Sequence, residues 1–104
     1  MAEEVLTITE EIEGDVCNLS ARGRIDSNSA DLLKDKLESA LAAGHKTIIM
    51  DMYKVNYLSS IGIRVILNVY KQAKEAGNKF NISHPSEFVK NVLGMVALKE
   101  MLVT

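Results

Sequence analysis

The chain has 104 residues, 47% of them hydrophobic and 25% charged, which predicts one globular domain over residues 1–104. Its net charge of −2 gives no electrostatic basis for binding nucleic acid or a membrane, and no apolar run reaches the length of a membrane span. Residues 1–4 are unlike a signal peptide, and a single cysteine excludes an intrachain disulfide, so we expect a cytoplasmic protein.

The first part of the chain predicts a hairpin followed by a helix. Apolar and polar residues alternate over residues 5–10 and again over residues 16–22, with a Gly-Asp turn between them. Cys17 lies on the apolar side of the second strand, which favours a buried structural cysteine over a reactive one. Turn and capping residues at 23–29 then introduce a helix that ends at about Ala43.

The rest of the chain predicts two more strands, each followed by a helix. Residues 47–52 are almost continuously apolar, as in the middle strand of a sheet. A short polar loop should follow Asp51, whose carboxylate is expected to accept hydrogen bonds from the backbone of that loop. A long helix is predicted over residues 60–76 and a short strand over residues 80–83.

A helix starting near Pro85 and a final short helix or turn over residues 96–102 complete the predicted elements. Their order is β-β-α-β-α-β-α, with one further short helix. Strands that alternate with helices predict an α/β domain with a mixed four-stranded sheet. Because the first two strands alternate, the helices should lie mainly on one face of this sheet.

Few residues could support catalysis or metal binding. His45 and His84 each lie at a turn, and neither has a cysteine or carboxylate at metal-ligand spacing along the chain. The sequence contains no phosphate-binding loop, no GxGxxG and no GxSxG motif. We therefore expect a protein that is not an enzyme and has no catalytic residues, no cofactor and no metal.

Ser59 and Ser60 lie where the long helix begins. Serine is favoured there because its side-chain oxygen can accept a hydrogen bond from an unpaired backbone N–H. The helix dipole also makes this position tolerant of negative charge, including phosphate. The two serines could thus act as a helix cap alone or also as a modification site. Gly62 in the first turn costs about 1 kcal/mol against Ala, so we expect that a side chain there would meet the sheet or the preceding loop.

Three segments of the chain resemble STAS domains, and more narrowly the anti-sigma factor antagonists of bacterial partner-switching systems. The main one runs from Met50 to Gly77, with Y-L-S-S-I-G-I-R-V-I-L at its centre. R-G-R-I-D at residues 22–26 resembles the family's segment before its first helix. N-I-S-H-P-S-E-F-V-K-N-V-L at residues 81–93, followed by A-L-K-E-M-L, resembles its last strand and C-terminal helices.

The resemblance implies a regulatory binding module. Such a protein sequesters an anti-sigma factor with serine kinase activity, is phosphorylated by it, and is reset by a protein serine phosphatase. The family motif is D-S-[ST]-G-L-G, and its second hydroxyl residue is the phosphoacceptor. Alignment on Gly62 places Ser59 at the Asp, Ser60 at the first Ser and Ile61 at the usual acceptor. Ile61 has no hydroxyl group, so the expected phosphorylation site is Ser60, with Ser59 as the alternative. If neither serine is modified, the same residues would form a binding surface that does not depend on phosphorylation.

The resemblance also implies a set of partner-binding residues around the same helix start. These are Asp26, Tyr57, Leu58, Ser59, Ser60, Ile61, Gly62 and Arg64. Two other functions stay open. One is a non-switching STAS subunit of a larger assembly, such as a lipid-transport or sensory complex. The other is a binder of a small ligand or nucleotide.

Overall fold

Five strands and three helices occur in the computed structural model, which describes residues 5–95 and 102–103. The strands are β1 (Thr7–Glu13), β2 (Val16–Ile25), β3 (Thr47–Leu58), β4 (Lys79–Ser83) and β5 (Leu102–Val103). The helices are α1 (Ala30–Ala42), α2 (Ser60–Glu75) and α3 (Glu87–Met95). No helix within the described part of the chain is long and apolar enough to cross a bilayer.

The sheet is mixed, with the order β1-β2-β3-β4-β5. β1 pairs antiparallel with β2, and all the other neighbours pair parallel. The predicted fold class and the order of its seven main elements are confirmed. β5 is a two-residue strand at the edge of the sheet that the sequence pattern did not predict. The helix or turn predicted over residues 96–102 lies outside the described residues, except for Leu102, which opens β5.

The core lies on one face of the sheet. Strand order follows chain order, so right-handed crossovers place α1 and α2 on the same side. Alternate strand residues are fully buried beneath them, including Cys17, Leu19, Ile48, Met50 and Phe80. The opposite face is open to solvent, and Tyr53 on it is 68% exposed. The prediction that the helices lie mainly on one face is therefore confirmed.

β3 continues to Leu58, so the prediction of a polar loop after Asp51 is wrong. Two shifts in the register between β2 and β3 each place one extra residue in β3, as in β-bulges. Met52, Val55 and Leu58 consequently all face the core at a spacing of three residues. This spacing breaks the two-residue period of a regular strand, which explains why the sequence pattern did not predict the second half of β3.

β1 is the outer edge strand and exposes nearly all of its side chains, among them Glu10, Glu11 and Glu13. Leu6, just before it, is buried and helps to close the core at this edge. The preceding backbone also passes so close to Gly23 (φ +109°) that a Cβ atom there would overlap the carbonyl oxygen of residue 5. Glycine at position 23 thus allows the start of the chain to lie across β2.

α3 covers the edge of β3 beyond the end of β4, whose pairing with β3 stops at Asp51. Further along, the backbone N–H of Ser86 donates to the carbonyl of Met52 at 3.3 Å, and its hydroxyl donates to the carbonyl of Val55 at 2.7 Å. The same hydroxyl accepts from the backbone N–H of Val89 at 3.2 Å, as a helix-capping serine does. Ser86 therefore both caps α3 and docks it on β3.

Candidate functional site

Ser59 is the N-cap of α2 and is tied to the end of β2. Its backbone is extended (φ −80°, ψ 169°), and its hydroxyl oxygen accepts from the backbone N–H of Gly62 at 3.2 Å. Its own backbone N–H donates to the carbonyl of Ile25 at 2.8 Å. The side chain is half-buried. The capping role predicted for one of the two serines is therefore held by Ser59.

Ser60 is the first residue of α2, and it is exposed. Ile61, next to it, is also exposed, with 44% of its surface accessible. Arg64 is exposed and lies four residues after Ser60, so the two side chains are neighbours on one side of the helix. The start of α2 thus presents a hydroxyl, an apolar side chain and a guanidinium group to solvent.

Gly62 allows the first turn of α2 to approach the sheet. A Cβ atom at this position would lie 2.6 Å from Cγ2 of Ile25 and 2.9 Å from Cδ1 of Leu58. The expectation that a side chain at position 62 would meet the sheet or the preceding loop is confirmed. Gly62 and Leu58 are both buried, so they lie beneath the exposed residues at the start of α2.

The loop after β2 is ordered around the side chain of Asp26. Its Oδ1 atom accepts from the backbone N–H groups of Asn28 at 3.0 Å and Ser29 at 3.1 Å. The hydroxyl of Ser29 accepts from the backbone N–H of Asp26 at 2.9 Å and donates to the carbonyl of Arg24 at 2.8 Å. Desolvation alone would raise the pKa of Asp26, but the hydrogen bonds that its carboxylate accepts from Asn28 and Ser29, together with the charge of Arg24, lower it.

A row of side chains crosses the carboxyl-terminal ends of β2 and β3. The Nε atom of Arg24 lies 3.6 Å from Oδ2 of Asp26, and its guanidinium carbon lies 4.3 Å from the ring centroid of Tyr57. The centroid of the Tyr57 ring lies 5.7 Å from that of Phe88 on α3. The Phe88 residue is 38% exposed. Arg24 and Phe88 were missed in the sequence, since they meet Tyr57 only because β3 extends beyond Asp51.

The predicted partner-binding residues come together at this end of the sheet. They follow β2 or β3 directly, or lie in the last part of β3 or the first turns of α2. Asp26, Tyr57, Ser59, Ser60, Ile61 and Arg64 are exposed or half-buried there. Six of the eight predicted residues are thus accessible to a partner.

Asp51 has the backbone contact that its position predicts, although it lies within β3 instead of before a loop. Its Oδ1 atom accepts from the backbone N–H of Tyr53 at 2.9 Å. Its Oδ2 atom lies 3.5 Å from Nδ1 of His84, a residue with a positive φ of 48°. These contacts join the end of β4 to β3 and make Asp51 a structural residue.

The model of the STAS domain family matches residues 7–104, nearly the whole chain. The chain belongs to the STAS domain family. Among curated relatives, the Bordetella bronchiseptica protein BtrV, provisionally named an anti-sigma factor antagonist, is 27% identical over 71 residues. These residues make up 68% of this STAS domain and 61% of BtrV, so the match spans less than two thirds of that relative.

Solved structures of anti-sigma factor antagonists share this fold. One from Mycobacterium paratuberculosis superposes with a TM-score of 0.86 at 19% identity, over 97% of this STAS domain and 86% of that chain. The Bacillus cell fate determinant SpoIIAA in its phosphorylated form superposes with a TM-score of 0.77 at 15% identity, over 93% and 89% of the two chains. The resemblance to STAS domains predicted from the sequence is confirmed by the family match over residues 7–104.

Proposed function

We propose that this STAS domain is an anti-sigma factor antagonist that binds an anti-sigma factor with serine kinase activity in the cytoplasm. Phosphorylation of Ser60 by that kinase, with its ATP, ends the binding, and a protein serine phosphatase restores it. The domain itself acts by binding alone. The observation that carries this proposal is that Ser60 is exposed at the N-terminus of α2, beside an apolar residue and an arginine.

Ser60 suits a kinase better than Ser59 does. The hydroxyl of Ser59 is engaged with the backbone N–H of Gly62 and is half-buried. Transfer of a phosphoryl group to it would disturb the cap of α2. Ser60 lies one residue further on, where its side chain is exposed and the cap is unaffected.

The start of α2 can carry a phosphate without a change of fold. Phosphorylation adds about −1.5 to −2 charges at pH 7, and the dipole of a helix N-terminus favours negative charge. Arg64, one turn further along the same side of α2, can pair with the phosphate. The modified domain should therefore stay folded. The added charge should instead weaken the interface with the partner.

The partner is expected to cover Ile61 and the row formed by Arg24, Tyr57 and Phe88. Ile61 and Phe88 offer apolar contact, while Arg24 and Arg64 attract acidic side chains. A phosphate on Ser60 would lie next to Ile61, where it repels acidic groups of the partner and loses its hydration on contact. A coupling of about 1–3 kcal/mol would lower the affinity roughly 5- to 150-fold, which is enough to release the partner.

Two pairs of variants test this proposal. Ser60→Ala should fold and bind the anti-sigma factor whether or not the kinase is active, whereas Ser60→Asp should fold and bind it much more weakly. Ser59→Ala and Ser59→Asp are the matched control pair at the neighbouring serine. The measurements are partner affinity by calorimetry, circular dichroism of every variant, and mass spectrometry of the wild type after incubation with the kinase and ATP.

The outcomes separate the alternatives. If only the Ser59 pair differs in affinity and the phosphate is found on Ser59, the switch is one residue earlier. If the kinase labels neither serine and neither pair differs, the phosphoswitch is excluded. A non-switching STAS subunit of a larger assembly would then replace it.

A further inference from the structure

Three residues with metal-binding side chains meet at the other end of the sheet from Ser60. Glu10 lies on β1, Cys17 near the start of β2, and His45 in the connection between α1 and β3. One ligand atom of each residue lies within 4.8 Å of those of the other two. No cysteine or carboxylate lies at metal-ligand spacing from His45 along the chain, because the fold alone brings the three residues together.

We propose that Glu10, Cys17 and His45 form a binding site for one Zn²⁺ ion. Thiolate, imidazole and carboxylate are the side chains that bind zinc in proteins, and three protein ligands with one open position are a common zinc arrangement. Ca²⁺ and Mg²⁺ prefer sites made only of oxygen ligands, so a site with sulfur and nitrogen favours Zn²⁺ over them. The thiol loses its proton to solvent when its sulfur binds the ion.

The ligand atoms, all within 4.8 Å of one another, lie within side-chain reach of the spacing in an occupied site. Zinc–sulfur bonds of about 2.3 Å and zinc–nitrogen or zinc–oxygen bonds of about 2.0–2.1 Å place tetrahedral ligands about 3.3–3.6 Å apart. Sγ of Cys17 already lies 3.5 Å from Oε2 of Glu10. Glu10 is exposed and His45 is half-buried outside regular structure, so their side chains can move the remaining distance of about 1 Å.

Lys36 on α1 provides an internal test of the site. Its Nζ atom lies 4.0 Å from Oε1 of Glu10, so its positive charge competes with the metal for the carboxylate. Removal of this charge by Lys36→Gln should therefore strengthen zinc binding several-fold. A purely structural role of the three residues would not produce this gain, since Lys36→Gln would then only remove an ion pair.

The site can be measured with Co²⁺ as a spectroscopic substitute for Zn²⁺. The untagged full chain is freed of metal with a chelator and titrated with Co²⁺, which Zn²⁺ then displaces. Because the chain has a single cysteine, an absorption band from thiolate to cobalt reports on Cys17. We expect one ion per chain, loss of the band in Cys17→Ser, and at least tenfold weaker binding in His45→Asn and Glu10→Gln. His84→Asn, at the other histidine, is the matched control and should bind like the wild type.

The proposal is overturned if no saturable band forms, or if His45→Asn and Glu10→Gln bind cobalt as tightly as the wild type does. If Cys17→Ser does not fold, these two variants decide, because their side chains are exposed or half-buried. Circular dichroism of each variant separates a lost site from a lost fold. The partner-binding tests at Ser60 use the opposite end of the sheet, so either proposal can fail without the other.

Discussion

Gly62 and Ile25 face each other so closely that the junction between α2 and β2 has no room for a side chain at position 62. Cγ2 of Ile25 belongs to a fully buried side chain, which cannot swing into solvent to make space. We expect Gly62→Val to lower the free energy of unfolding by about 1–3 kcal/mol, as overpacking does. It should also weaken partner binding, because α2 would have to move away from the sheet. Urea unfolding and partner affinity measure the two effects.

A double-mutant cycle tests whether contact with Ile25 causes the loss of stability when a side chain is placed at position 62. Ile25→Ala alone should cost about 2–5 kcal/mol, since it opens a cavity in the core. Combined with Gly62→Ala, it should cost less than the sum of the two single changes, because the new methyl group enters the space that Ile25 leaves. If the two losses in free energy of unfolding were strictly additive, they would contradict a contact between the side chains at positions 25 and 62.

The two neighbouring serines should differ in their effect on stability. Ser59→Ala removes the side-chain cap of α2 and should lower the free energy of unfolding by about 1 kcal/mol. Ser60→Ala changes an exposed residue and should stay within about 0.5 kcal/mol of the wild type. Chemical denaturation of both variants at one pH provides the comparison, and equal losses would show that the cap is shared.

Asp26 should make a pH-dependent contribution to stability. Because its pKa is lowered from 3.8 in the folded protein, the ionised carboxylate stabilises the fold above that pH. This contribution should be lost as the pH falls below 3.8 and through the folded-state pKa. The difference in melting temperature between the wild type and Asp26→Asn should accordingly be largest near neutral pH and shrink in acid. Asp35→Asn, on the exposed side of α1, is the control and should not reproduce this profile.

Ser86→Ala should loosen α3 from β3. The change removes the hydroxyl that donates to the carbonyl of Val55 and accepts from the backbone N–H of Val89. Loss of the cap together with the part-buried hydrogen bond to β3 should cost about 1–3 kcal/mol. Relative to the wild type, amide hydrogen exchange should speed up more in α3 than in α1. Ser27→Ala, an exposed change elsewhere, should alter neither stability nor exchange.

Local patterns in the sequence predicted most of the fold. The alternation before residue 22, the apolar run after Thr47 and the helical spacing after Ser60 gave the correct order of strands and helices. The second half of β3 could not be predicted in the same way. Its two bulges place buried residues three apart, and only pairing with β2 makes that spacing a strand.

The two sites differ in how far the sequence could predict them. The start of α2 was predictable, because Ser59, Ser60 and Gly62 are adjacent and each residue type has a known role at a helix N-terminus. The contact between Arg24, Tyr57 and Phe88 joins three separate elements. The group of Glu10, Cys17 and His45 likewise depends on how β1 and the connection before β3 meet β2. Such contacts follow from tertiary packing, which no local sequence pattern encodes.

The glutamates of β1 give the sheet an outer edge that is a poor template for another chain. The strand ends in a segment with Glu10, Glu11 and Glu13, and no strand covers its outer side within the described residues. A second copy that added its own β1 antiparallel would bring carboxylates opposite each other, and like charges in such pairs destabilise the ladder. The charges therefore oppose sheet growth from chain to chain, so a strand-forming sequence can remain at the surface without driving aggregation.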